Sequence, residues 1–126
     1  NPDLIILAIG ENAAAPTDAP SRAQFTQAVV KLLNGIAKGR KPTLVVRSCF
    51  WANPAKDEAL KKACQEVGGA FVDISALGND EANRARSERE FSHKGVAAHP
   101  GDKGMRAIAD AILDAISHPQ QRKAAR

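Results

Sequence analysis

Two apolar patterns alternate along the chain. Leu4-Ile5-Ile6-Leu7-Ala8-Ile9 is an unbroken run that ends at Gly10; Thr43-Leu44-Val45-Val46 follows Lys41-Pro42; Ala70-Phe71-Val72-Asp73-Ile74 follows Gly68-Gly69. Short runs of this kind, rich in β-branched residues and lacking polar alternation, predict strands covered on both faces, as in a parallel sheet. Between them the spacing becomes helical. Phe25, Val29, Leu32, Leu33 and Ile36 recur at helical intervals. Ser21 and Gln24 stand where a capping box would open that helix behind Pro20, and Gly39 where a glycine would close it. A second helix opens with Asn53 as cap and Pro54 at its first position, carries Leu60, Ala63, Cys64 and Val67 as its buried stripe, and stops at Gly68. A last helix begins near Asp102 and turns Met105, Ile108, Ala109, Ile112 and Ile116 to the core.

The order β-α-β-α-β, then an irregular stretch, then a helix predicts an α/β domain over residues 1–118 with a parallel sheet and right-handed crossovers. Such a sheet is narrow, and its first strand would leave a long apolar edge open. Further strands are therefore expected from an upstream segment or from another chain. The least regular part is residues 75–98. Within it Arg84, Arg86, Glu88, Arg89 and Glu90 alternate in charge, which fits a solvated helix or loop, or a flap over a site.

Composition narrows the function classes. At 126 residues, 44% apolar and 25% charged, the chain has the balance of one ordinary globular domain. No apolar run approaches the roughly 18–20 residues that cross a bilayer. The first ten residues lack the basic start and cleavage site of a signal peptide. Most of the net charge of +4 comes from Arg122, Lys123 and Arg126 in an acid-free tail, residues 119–126, which reads as a frayed terminus. The body is nearly neutral and has no basic stripe with interleaved aromatics, so nothing points to nucleic acid. Cys49 and Cys64 have no metal-site spacing and read as buried thiols. His93 and His99 lack supporting metal ligands, and residues 10–13 match neither a Walker loop nor a dinucleotide fingerprint. No metal and no cofactor are expected.

In open parallel sheets, ligands bind beyond the carboxyl ends of the strands. Three loops leave that rim, at residues 10–21, 48–54 and 75–102, and unusual residues concentrate there. Asn12 is either a turn cap or a hydrogen-bond donor to a ligand. His99 is either a structural histidine at a helix start or a catalytic base, and His93 a surface residue. Trp51 is a core residue or a platform for a sugar ring. Arg47 binds a polar group or forms a structural ion pair. Glu11 faces the site or solvent, and Asp73 caps the turn after its strand.

Two segments carry a family resemblance. Pro2-Asp3-Leu4-Ile5-Ile6-Leu7-Ala8-Ile9-Gly10-Glu11-Asn12 resembles the third sequence block of SGNH (GDSL-like) hydrolases, an apolar strand ending in Gly-x-Asn. His99-Pro100-Gly101-Asp102-Lys103-Gly104-Met105, followed by Ala107-Ile108-Ala109, is similar to the fifth block, a His-Pro turn leading into the closing helix. The resemblance spans residues 2 to about 117, including Phe71-Val72-Asp73 between the two blocks. It implies a three-layer, flavodoxin-like fold whose N-terminal strands lie outside these residues. It also implies hydrolysis of an acyl ester by a serine nucleophile. In that reading Gly10 allows the tight turn, Asn12 donates its amide to the oxyanion, and His99 is the general base and acid. Trp51, Arg47 and Glu11 would line the substrate. The family habit, with Trp51, favours a carbohydrate or small-molecule ester, most simply an acetyl ester, and a setting outside the cytoplasm.

The chain departs from the family in two places. The Gly-Asp-Ser block and the glycine of the second block are absent from residues 1–126, and Ser21, Ser48, Ser75, Ser87, Ser92 and Ser117 stand in no nucleophile motif. An upstream segment or a second chain would supply the serine. Val96 occupies the place, three residues before the histidine, where the family carries an aspartate. A backbone carbonyl, a water, or a carboxylate such as Glu88 or Glu90 would then orient the ring. The rival readings are a non-catalytic glycan- or protein-binding relative, and a flavodoxin-like binding domain with an unrelated ligand.

Overall fold

The structure, a computed structural model, describes residues 2–118; the basic tail expected at 119–126 lies outside the described residues. Three strands, β1 (Leu4–Leu7), β2 (Thr43–Arg47) and β3 (Ala70–Val72), form a parallel sheet in the order β1-β2-β3. Leu4 pairs with Thr43 and Leu7 with Val46; Val45 pairs with Ala70 and Arg47 with Val72. The helices are α1 (Ala19–Ala37), α2 (Pro54–Glu66), α3 (Ser75–Asn79), α4 (Lys94–Ala98) and α5 (Asp102–Ser117). The mixed α/β class and the parallel sheet follow the sequence reading.

The pleat sends Val45 and Val46 to opposite faces of β2, and each anchors a separate core. On one face Val46, Ile5 and Leu7 pack with Val29, Val30 and Leu33 of α1 and Leu60, Ala63 and Cys64 of α2. On the other, Val45 and Val72 pack with Phe50, Ile74, Ile108 and Ala115, so α5 covers that side. Leu60 is fully buried, a burial worth about 1.5–3 kcal/mol relative to exposure. No helix among the described residues is long and apolar enough to cross a membrane.

Three expectations are corrected. The capping box of α1 is built one turn earlier than Ser21–Gln24: Asp18 is the cap, its Oδ1 accepting from Ser21 N at 2.7 Å, and Ser21 Oγ accepts in return from Asp18 N at 3.1 Å. Ser21 is thus the reciprocal partner, and Pro20 sits inside the first turn, where its missing N–H costs nothing. The last helix turns Ile108, Ile112 and Ile116 to the core as expected, but with them Gly104 and Ala115, while Met105 and Ala109 are exposed. Position 104 requires glycine, because a Cβ there would collide with the Asn83 carbonyl. Finally, β1 is covered on one face only. Leu4 and Ile6 remain 39% and 45% exposed, since α5 lies over β2 and β3.

The stretch between β3 and α5 is a strap of short helical turns, and Arg86, Glu88, Arg89 and Glu90 of its charged run are exposed, as in a solvated segment. It contains α3, two short 3-10 turns (Glu81–Asn83 and Ala85–Ser87) and α4, and it buries Asn83, Ala85 and Ala97. Asn83 Nδ2 donates to Leu77 O at 3.0 Å. Gly78 passes so close to the Phe50 carbonyl that a Cβ would overlap it. The strap's end is tied to the His99 turn, where Ala85 N donates to His99 O at 2.8 Å and Gly101 N donates to Asn83 O at 2.9 Å.

Candidate active site

At the carboxyl ends of β1 and β2, a cleft of about 450 Å³ lies between the strand ends and α5. Its walls include Glu11, Asn12, Arg47, Trp51 and His99, with Met105, Ile108 and Ile112 as apolar flooring. Residues from all three rim loops thus meet in one place. Gly10 is not on the wall but makes the turn that leads there. Its φ of +103° lies in the region glycine adopts without strain. The turn closes with Ala13 N donating to Gly10 O at 3.2 Å.

Asn12 is exposed at that turn, and no hydrogen bond engages its side chain among the described residues. Its amide is therefore available to a ligand. His99 ends α4, with its N–H donated to Val96 O at 3.1 Å and its carbonyl accepting from Ala85 N. His99 is exposed, and the Trp51 ring meets its imidazole edge-on at 4.8 Å between centroids and 83° between planes. Trp51 in turn stands edge-on to Phe50, which is buried in the core.

Glu11 and Arg47 answer each other. Arg47 Nη1 donates to Glu11 Oε1 at 2.9 Å and to Ser48 O at 2.7 Å, and Phe50 N donates to the same Oε1 at 2.7 Å. Both side chains line the cleft, yet they form an ion pair that ties the β1 loop to the β2 loop. Glu11 Oε2 is buried without a hydrogen-bond partner among the described residues.

Neither acid weighed for orienting His99 bonds to its ring among the described residues. Glu88 is committed elsewhere. Its two oxygens accept from Asp102 N at 2.7 Å and Lys103 N at 2.8 Å, capping α5, which has no cap of its own. Those backbone donors, Lys103 first, hold the Glu88 carboxyl below its usual pKa. Gly101 leaves room for this cap, since a Cβ there would lie 2.6 Å from the carboxylate. His93 caps α4, its exposed Nδ1 accepting from Gly95 N at 3.1 Å and Val96 N at 3.3 Å. Val96 is itself 49% exposed.

Serine does not line the cleft among the described residues. Ser48 is buried and structural: its hydroxyl donates to Asp73 Oδ1 at 3.2 Å and accepts from Ile74 N at 2.8 Å. Asp73 also accepts from Ser75 Oγ at 2.6 Å and Ser75 N at 2.9 Å, which makes it the cap of the turn after β3. The Ser75 hydroxyl is the main cause of its lowered pKa. Cys49 and Cys64 are buried, and neither is in a disulfide. Burial, helped by Asp57 and Glu11, pushes the Cys49 thiol up to about 11, so it is protonated at neutral pH. No group of three or more His, Cys, Asp or Glu side chains is gathered to hold a metal among the described residues.

Two residues of this site were not singled out in the sequence. Lys56 is buried on α2, and its ammonium donates to Gly10 O at 2.8 Å, Glu11 O at 3.2 Å and Ala13 O at 2.9 Å. Asp57 accepts from Cys49 N at 2.7 Å and Asn53 N at 2.9 Å. One turn of α2 therefore fastens both the loop that carries Asn12 and the loop that carries Trp51. Comparison of the chain with protein-family models, curated proteins and solved structures finds no match.

Proposed function

We propose that this chain is the C-terminal portion of a serine ester hydrolase of the SGNH type, flavodoxin-like in fold, acting on an acetyl or other short acyl ester of a carbohydrate or small molecule. The observation that carries the reading is that Asn12 and His99, far apart in sequence, line one cleft at the carboxyl ends of the strands. Asn12 offers a side-chain amide with no competing partner, suited to a developing oxyanion; such a donor is typically worth about 3–4 kcal/mol of barrier. His99 takes the proton of the nucleophile and returns it to the leaving alcohol. Trp51 meets the imidazole edge-on and forms a wall for the substrate.

The nucleophilic serine belongs, in this reading, to a strand beside the open edge of β1, from an upstream segment or a second chain. Neighbouring strands lie about 4.8 Å apart, so a parallel strand there would end beside the 10–13 loop. β1 pairs on one side only among the described residues, with β2, and that open edge supports such a neighbour. Substituting His99→Ala should lower turnover of acetyl esters by at least about 100-fold, the lower end of general acid–base contributions, with the fold retained by circular dichroism. Undiminished turnover would sink the assignment.

A second reading, a non-catalytic glycan- or protein-binding relative, is favoured by the absence of serine from the cleft walls among the described residues. Trp51 is the only tryptophan, so its fluorescence reports on the cleft. Saturable quenching by an acetylated oligosaccharide that is never hydrolysed would favour this second reading.

A further inference from the structure

We infer that Lys56 is the positioning residue of the candidate oxyanion site: its ammonium clamps the 10–13 loop and so fixes the backbone from which the Asn12 side chain projects. The inference rests on the esterase reading for its catalytic part and on geometry alone for its structural part.

A lysine ammonium has three N–H donors and no acceptor. Here three backbone carbonyls receive them, those of Gly10, Glu11 and Ala13, at 2.8–3.2 Å. The side chain is only 7% exposed, and burying a charge is costly unless it is fully bonded. A surface lysine would not accept that cost. The carbonyls are those of the turn that presents Asn12, and they come from the far side of the sequence, 43 to 46 residues away. The backbone of the turn is otherwise weakly held. Its internal bond, Ala13 N to Gly10 O, is 3.2 Å long, Gly10 has a positive φ, and residues 14–17 belong to no helix or strand. Glu11 holds the turn at one point through one carboxylate oxygen, whereas Lys56 bonds carbonyls on both sides of Asn12.

The clamp is itself rigidly mounted. Lys56 lies in the first turn of α2, whose cap Asn53 accepts from Lys56 N at 3.1 Å. The same helix is anchored in the core by Leu60, Ala63 and Cys64. A preorganised oxyanion donor works because no reorganisation is needed when charge develops. The chain of contacts from the core through Lys56 to the turn provides that preorganisation.

The test is Lys56→Met, which keeps the apolar stem and removes the donors, with Lys56→Gln as a second variant should the first not fold. Two readouts are taken on the 15N-labelled protein in the form its host makes, alongside Asn12→Ala. The first is backbone relaxation. Order parameters of Glu11, Asn12 and Ala13 should drop from about 0.85 toward 0.6 or below while those of α2 stay high. The second is the hydrolysis of p-nitrophenyl acetate. kcat should fall about 10- to 100-fold, short of or equal to the loss in Asn12→Ala, with KM within about twofold. An Asn12→Ala variant with full activity would remove the esterase role of Asn12 and leave the clamp to the relaxation data. A loop that stays rigid in both Lys56 variants overturns the clamp. A loop that loosens with kcat unchanged, where Asn12→Ala is inactive, overturns the positioning role.

Discussion

Trp51 meets the His99 imidazole edge-on, with ring centroids 4.8 Å apart and planes at 83°. It is the one ring contact the histidine makes among the described residues. Edge-to-face pairs contribute about 0.5–1.5 kcal/mol beyond their buried area. Trp51→Ala should release the imidazole and lower kcat for acetyl esters about 2- to 10-fold, the kinetic equivalent of that energy. Trp51→Phe, which retains an aromatic edge, should lose less. The ring-proton shifts of His99 check the structural half of this expectation, moving toward free-imidazole values in Trp51→Ala and far less in Trp51→Phe.

Glu88 contributes through charge. Its carboxylate caps α5 through Asp102 N and Lys103 N, and its pKa is depressed in the folded protein. The stabilisation is therefore present above the ordinary glutamate pKa of about 4.3 and is lost as pH falls through the lower, folded value. Glu88→Gln should unfold at lower urea concentration than the parent at pH 7. The gap should narrow toward pH 3 as the parent carboxyl takes up its proton. A gap of equal size at both values would show that the cap does not depend on ionisation.

Cys49 should be chemically silent. With its thiol pushed up to about 11 and its side chain fully buried, thiolate is scarce at pH 7–8. Iodoacetamide should leave it unmodified in the native protein and label it after unfolding in urea. Rapid native labelling, read by peptide mass, would show that the rim beside Gly10 opens.

Much of the architecture was legible in the sequence because strand and helix periods are local signals. The runs at 4–9, 43–46 and 70–74 became the sheet, and Asn53-Pro54 marked the start of α2 where the structure has it. The inward stripe of α5 was legible at Ile108, Ile112 and Ile116 but not at Gly104, whose close approach to the Asn83 carbonyl joins two residues with no sequence relation. Glu88 capping α5 was missed for the same reason, since the cap comes from another segment. Lys56 did leave a trace. It stands four residues before Leu60, on the same stripe as Ala63, Cys64 and Val67, so the helical period places this lysine on a buried face. A charge at a core-facing position beside the rim is the signal that would have found it. For the cleft, Asn12, Trp51 and His99 could each be identified, but the mutual pairing of Glu11 with Arg47 could not, because strand pairing decides which loops meet.

The central claim is that the cleft of Asn12 and His99 serves a serine nucleophile from outside residues 1–126. The most direct measurement is an intact and peptide mass spectrum of the native protein after a fluorophosphonate probe, run beside its His99→Ala variant. The account predicts one adduct, on a serine outside these residues, that is strongly reduced in the variant. An adduct on a serine within residues 1–126, labelling undiminished by His99→Ala, or no adduct at all would contradict it.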